Sequence, residues 1–228
     1  MSEHNPPIRL ACLDMAGTTV ADDGLVLAAF AAALDTLGVD QERERERMTR
    51  YVLDTMGESK ITVFRALFPG EETAAQEGNA AFESAYGARV ALTRALPGAE
   101  ESFERLRAAG VKVALTTGFS RTTADALLEH LGWGGLIDLS LTPGDVGGRG
   151  RPHPDMILAA AARLSVDEPR AVAVAGDTAS DIRSGLAAGA RIVAGVLTGA
   201  HDRSTLTEAG ATSVLDHVAE FPALLVER

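Results

Sequence analysis

The chain has a single cysteine, Cys12, among its 228 residues, so no disulfide can form within it. A lone thiol inside an apolar run reads as a small core residue, and it makes a reducing cytoplasm the expected location. Basic excess is missing too. Lys and Arg number 21 against 32 Asp and Glu, a formal net charge of −11. With no basic cluster along the chain, neither nucleic acid nor an anionic membrane is expected as a partner. No apolar run approaches the about 20 residues that a membrane-spanning helix needs. The opening stretch MSEHNPPIR lacks the basic-then-apolar profile of a secretory signal, so a soluble intracellular protein is expected. The five histidines (His4, His130, His153, His201 and His217) are scattered without the ligand spacing of a zinc site. Only His153 stands near the candidate site, where it reads first as a helix-entry residue.

What the sequence does contain is a regular alternation. IRLACLD, VKVALTT, LIDLSLT, AVAVAGD and RIVAGVL are short, continuously apolar runs, as expected of strands buried on both faces. Helical patterns such as PGAEESFERLRAAG and PHPDMILAAAARLS lie between them. This alternation predicts an α/β fold, a doubly wound parallel sheet covered by helices on both sides. The alternation lapses from residue 20 to residue 94. No strand is evident there, and Val26, Phe30, Leu34 and Leu37 fall at helical spacing. An all-helical insertion over 20–94 is expected, with 1–19 and 95–228 forming the core. Within it, QERERERMTR pairs opposite charges at i,i+3, Glu42 with Arg45 for example, and reads as a solvated helix face.

In doubly wound sheets, ligands bind beyond the carboxyl ends of the strands. The first strand ends in Asp14, the next in Thr116-Thr117-Gly118, and AVAVAGD in Asp177, with Asp181 one helical turn on. A Gly-rich loop after LIDLSLT leads to Arg151. Three carboxylates gathered on one rim would repel and raise one another's pKa values, and a hard dication binding oxygen relieves this. Mg²⁺ held by Asp14 and Asp177, with water-mediated help from Asp181, fits such a set, and Ala16 is counted with the metal-holding positions. The backbone around Ala16, Gly17 and Thr18, the Thr117 hydroxyl and the Arg151 guanidinium would hold the phosphoryl oxygens of a substrate, leaving Asp14 as nucleophile.

The stretches DMAGTT, LTTG, GRP and GDTASDIRSGLAAG resemble the four ordered motifs of the haloacid dehalogenase superfamily, from Leu10 to about Gly199. The resemblance implies a Rossmann-like core, a helical cap inserted after the first motif, Mg²⁺ and an aspartyl-enzyme intermediate. Phosphatases of that superfamily carry a second aspartate two residues after the nucleophile, as acid and base. Here that position is Ala16. A leaving group that departs into a protonated imine needs no such acid, which calls for a lysine over the site. The chain has two lysines, and Lys112 starts a strand at the end remote from the rim. Lys60 lies in the insertion, in MGESK. DMAGTT together with MGESK resembles the phosphonoacetaldehyde hydrolases (phosphonatases), whose cap carries a Schiff-base lysine in a Met-Gly-x-x-Lys motif. That likeness implies roles for Met56, Gly57 and Gly118 beside the substrate and cleavage of a P–C bond in a small phosphonate. Phosphonatase relatives also form dimers through the cap, which the apolar positions of the first cap helix would suit, as they would burial within one chain.

The sequence departs from the phosphonatase pattern at three places: Met15 for a tryptophan, Val63 for a histidine, and Phe119 for an aromatic hydroxyl. Three other readings stand beside this one. They are a phosphate-monoester phosphatase that tolerates Ala16, a non-catalytic protein that binds a phosphorylated metabolite, and a metal-independent dehalogenase. The intact charged set argues against the second, and the carboxylates of GDTASDI against the third.

Overall fold

The computed structural model describes residues 6–226; residues 1–5, His4 and part of the MSEHNPPIR stretch among them, lie outside. Strand β1 (Leu10–Asp14) leads into the short β2 (Val20–Ala21) and then four helices, α1 (Leu25–Thr36), α2 (Glu42–Asp54), α3 (Lys60–Leu67) and α4 (Glu72–Gly87). The chain returns through β3 (Arg94–Ala95) to α5 (Ala99–Ala108), β4 (Lys112–Thr116), α6 (Arg121–Leu131) and β5 (Leu139–Leu141). It then runs through α7 (Asp155–Arg163), β6 (Val172–Gly176), α8 (Ala179–Ala187), β7 (Ile192–Val196), α9 (Arg203–Glu208), β8 (Ser213–Leu215) and α10 (Phe221–Val226).

Six strands form one parallel sheet in the order β5-β4-β1-β6-β7-β8. The strand order reverses at β1, which pairs with β4 on one side and β6 on the other. That reversal opens the crevice in which such sheets bind ligands. Because side chains alternate along a strand, β1 feeds two cores. Ala11 and Leu13 join the apolar cluster of α5, α6 and the helical segment; Leu10 and Cys12 join the cluster of α7, α8 and α9. Burial pushes the Cys12 thiol up to about 12, so it stays protonated and inert, as its place in the sequence implied.

The five strands read from the sequence are all present, and β8 is a sixth that three residues with a leading serine did not reveal. β2 and β3 form a two-residue antiparallel ribbon, Val20 opposite Ala95 and Ala21 opposite Arg94, at either end of the four helices. So the stretch expected to hold no strand begins with one, too short to show a period. On α1 the apolar stripe is used inside the chain: Phe30 packs on Phe64 and Phe82 at ring distances of 5.1 and 4.7 Å, with Val26 and Leu34 buried beside it. On α2 only Met48 and Val52 are buried. The Glu42–Arg45 pairing is not the one formed. Arg45 reaches Asp35 at 2.7 Å, and Glu44 with Arg47 makes the i,i+3 pair at 2.6 Å. Among the described residues, no helix is long and apolar enough to cross a membrane.

A polar contact ties the helical segment to α6. The Glu83 carboxylate on α4 accepts hydrogen bonds from the hydroxyls of Ser120 and Thr123 and from the Ser120 backbone N–H at 3.3 Å. A carboxylate at the start of α6 also meets the positive end of that helix. Glu83→Ala strands these donors at a part-buried junction and is expected to cost about 1–3 kcal/mol. For a chain of this size that lowers Tm by roughly 3–10 °C. An unchanged melting curve would show the contact to be idle.

Candidate active site

The strand ends bring together what the sequence placed there. Asp14 closes β1 and Asp177 follows β6; both are buried, 5% and 2% exposed. Arg151 sits between the carboxylates: Nη1 is 2.7 Å from Asp14 Oδ1 and Nε 2.7 Å from Asp181 Oδ1. Its Nη2 donates to the carbonyl and hydroxyl oxygens of Thr116 at 2.8 and 2.7 Å, and Nη1 also reaches the Gly57 carbonyl at 3.3 Å. Burial works against its charge, but Asp181 and Asp14 outweigh that and hold the guanidinium proton more firmly than usual.

Asp14, Asp177 and Asp181 each present an oxygen within 4.8 Å of the others. Burial, set against the pull of Arg151 and reinforced by Asp181 and Asp177, raises the Asp14 carboxyl well above the usual carboxylate range. Burial and then repulsion from Asp181 lift Asp177 to about 7. A set of hard oxygen donors whose charges are this poorly compensated suits a divalent cation. The donors are unequal, however. One Asp181 oxygen serves Arg151, and the other accepts from the Thr178 hydroxyl at 2.5 Å and the Thr178 N–H at 3.1 Å in a capping box that starts α8. Asp181 thus also positions Arg151 and α8, while Asp14, Asp177 and Asp181 together form the carboxylate set that could hold a divalent cation, and Ala16 has only its backbone carbonyl to offer.

A cavity of about 260 Å³ opens above this rim. Asp14, Ala16, Gly17, Met56, Gly57, Lys60, Thr117, Gly118, Arg151 and Asp177 all line it. Thr18 does not: it is fully buried, and its hydroxyl donates to Asp177 Oδ1 at 3.1 Å, so it orients that carboxylate from behind. The exposed His153 ring lies outside the wall and faces Arg149. Two glycines allow the close approach of the helical segment to the sheet. Gly57 has φ +85° and lies where a Cβ would sit 2.5 Å from Thr178 Oγ1; at Gly118 a Cβ would meet the carbonyls of Glu58 and Gly57.

Lys60 begins α3 and is 6% exposed. Its Nζ donates to the Glu58 carbonyl at 3.3 Å and stands 5.4, 5.8 and 6.0 Å from the ring centres of Phe119, Phe82 and Phe30. Burial lowers its pKa, Asp14 opposes that, and Arg151 adds to it.

Several residues of the wall had not been singled out in the sequence. Thr198, Gly199 and Ala200 follow β7; the Ala200 N–H donates to Asp177 Oδ2 at 2.7 Å and the Thr198 hydroxyl to the Gly17 carbonyl at 2.6 Å. The signal was there, because LTGA follows a strand just as LTTG does. Asp22, on the loop before α1, also lines the cavity.

The haloacid dehalogenase-like hydrolase family, described as a hydrolase family, matches residues 8–189. A phosphonoacetaldehyde hydrolase of Bacteroides fragilis is 29% identical over 258 aligned residues, covering 96% of this chain and 95% of its own. A phosphonoacetaldehyde hydrolase-like protein of Syntrophobacter fumaroxidans is 31% identical, over 87% of this chain and 76% of its own. Among solved structures, a phosphonoacetaldehyde hydrolase-like protein from Oleispira antarctica superimposes with a TM-score of 0.83 at 25% identity, covering 98% of this chain and 93% of that one.

A stability test follows from Asp177. Its folded pKa of about 7 lies above the ordinary 3.8. The folded state thus keeps a proton that the unfolded state releases, and metal-free stability declines as pH rises through that window. A cation at Asp177 removes the penalty. Mg²⁺ is therefore expected to raise Tm by several degrees more at pH 8 than at pH 6, read by scanning calorimetry. An equal gain at both would take the metal away from Asp177.

Proposed function

The chain belongs to the haloacid dehalogenase-like hydrolases, and on that footing we propose that it cleaves the carbon–phosphorus bond of phosphonoacetaldehyde or a closely related small phosphonate aldehyde. One observation carries this reading. A buried lysine with a lowered pKa faces the cavity of a buried aspartate, at a site where Ala16 leaves no acid for a leaving alkoxide.

Lys60 Nζ, in its neutral form, adds to the aldehyde carbon. Loss of water then gives a protonated imine. Asp14 attacks phosphorus as the P–C bond breaks, and the electron pair of that bond flows into the iminium to give an enamine. Because the departing carbon carries no full negative charge, the proton that a second aspartate would supply is not needed at that moment. Water then hydrolyses the aspartyl phosphate; the enamine is protonated at carbon to an iminium, and a second water hydrolyses that iminium, releasing the aldehyde and freeing the Lys60 amine. Mg²⁺, held by Asp14, Asp177 and the Ala16 carbonyl with Asp181 acting through water, would offset the charge of the phosphoryl group while bound. Arg151 favours the ionised form of Asp14 against burial and aims it, and the Thr117 hydroxyl and the backbone at Gly17 and Gly118 face the remaining phosphoryl oxygens. The helical segment over 20–94 acts as the cap that brings Lys60 to the sheet and keeps bulk water out. A reducing cytoplasm is the compartment we assign.

Borohydride trapping with phosphonoacetaldehyde, read by peptide mass spectrometry, tests the assignment. The expected result is a reduced adduct on the Lys60 peptide with loss of activity. Lys60→Arg keeps a charge but cannot form an imine, and is expected to lose P–C cleavage by at least about 10³-fold. Phosphate release from simple esters with no adduct would make the protein a phosphomonoesterase instead.

A further inference from the structure

Imine formation needs a proton carrier, and the cavity holds few candidates. Asp14, Asp22, Asp23, Lys60, Arg151 and Asp177 are its charged lining groups. Asp14 is committed to phosphorus, and Asp177 is held by Thr18 and Ala200 within the carboxylate cluster. Arg151 does not give up its proton. Asp23 is exposed and paired with Arg94. On α3, the side chain one turn past Lys60 is Val63, buried in the apolar core. The Tyr86 phenol, buried with no hydrogen-bond partner in the structure, is outside the cavity wall, and burial holds its proton more firmly than usual.

Asp22 remains. Its carboxylate is half-buried, and its hydrogen bonds go only to backbone N–H groups, at Val26 (3.1 Å) and Gly24. It is free of ion pairs among the described residues, and its charge and that of Lys60 act on each other across the cavity. Burial raises its pKa, with the Val26 N–H and then Lys60 opposing, so Asp22 holds a proton more readily than an exposed carboxylate does.

We infer that Asp22 is the acid–base group of the lysine chemistry, taking a proton from Lys60 and returning it to the carbinolamine. First the Lys60 N–H bond breaks and an Asp22 O–H bond forms, leaving a neutral amine. The amine adds to the aldehyde, and its extra proton passes to the new oxygen to give a carbinolamine. Asp22 then protonates that hydroxyl, which leaves as water while the nitrogen lone pair closes the C=N bond. The carboxylate is restored and no outside reagent is consumed. The inference rests on the imine reading above.

A capping role for Asp22 at the start of α1 is the competing account, and one substitution separates the two. Asparagine caps a helix as well as aspartate does but cannot take up a proton. In quenched-flow trapping with phosphonoacetaldehyde and borohydride, Asp22→Asn should form the Lys60 adduct about 10²-fold more slowly than the unsubstituted chain, with a near-normal Tm. Asp22→Glu should recover part of the rate. Asp23→Asn, one residue along, should trap at the normal rate. Normal trapping by Asp22→Asn overturns the inference and leaves the imine reading standing. Equal slowing by Asp23→Asn overturns it as well, because loop charge alone would then account for the effect. Absence of any Lys60 adduct in the unsubstituted protein removes the imine reading and this inference together.

Discussion

The site depends on one buried cation set among three buried carboxylates. Arg151 links the ends of β1 and β4, the first turn of α8 and the Gly57 loop through one planar group. Leaving buried charges unpaired costs about 3–5 kcal/mol, so its loss would do more than remove a substrate contact. A lysine would not replace it. An ammonium is a point charge on a flexible stem and cannot address several fixed acceptors in one plane. The same charge also reaches Lys60. By pairing with Asp14, Arg151 weakens the first of the anions, ahead of Asp22 and Glu83, that would otherwise keep the lysine protonated.

Much of the sheet was legible in the sequence because burial on both faces leaves continuous apolar runs, and the strand ends then point to Asp14, Thr117 and Asp177 without further knowledge. The elements that stayed hidden are short: β2 and β3 have two residues each and β8 three, too few to show a period. Individual roles were harder still. Thr18 lies beside the site yet turns its hydroxyl to Asp177, and Asp181 also pairs with Arg151; partners far apart in sequence leave no local trace. The link from Glu83 to Ser120 and Thr123 spans 37 and 40 residues for the same reason. Asp22 reads locally as a turn aspartate, and only the arrangement of the helices over the sheet places it in the cavity.

The departures at Val63 and Phe119 share one physical consequence: both replace polar rings by apolar side chains next to the lysine. Phe119 becomes a wall of the slot that holds Nζ, and Val63 joins the core beneath it. Two effects then compete. The faces of three rings favour the ammonium, by about 0.5–2 kcal/mol for a well-placed contact. Here the distances of 5.4–6.0 Å lie at the outer limit of that attraction. Burial disfavours the ammonium by up to 3–5 pKa units for a fully enclosed group, at about 1.4 kcal/mol per unit. Burial therefore wins, and the slot yields a larger share of neutral amine than a solvated one would. The inferred proton carrier lies on another element: the loop between β2 and α1 brings the Asp22 carboxylate to the same cavity wall as Lys60, held by the backbone N–H groups at Val26 and Gly24.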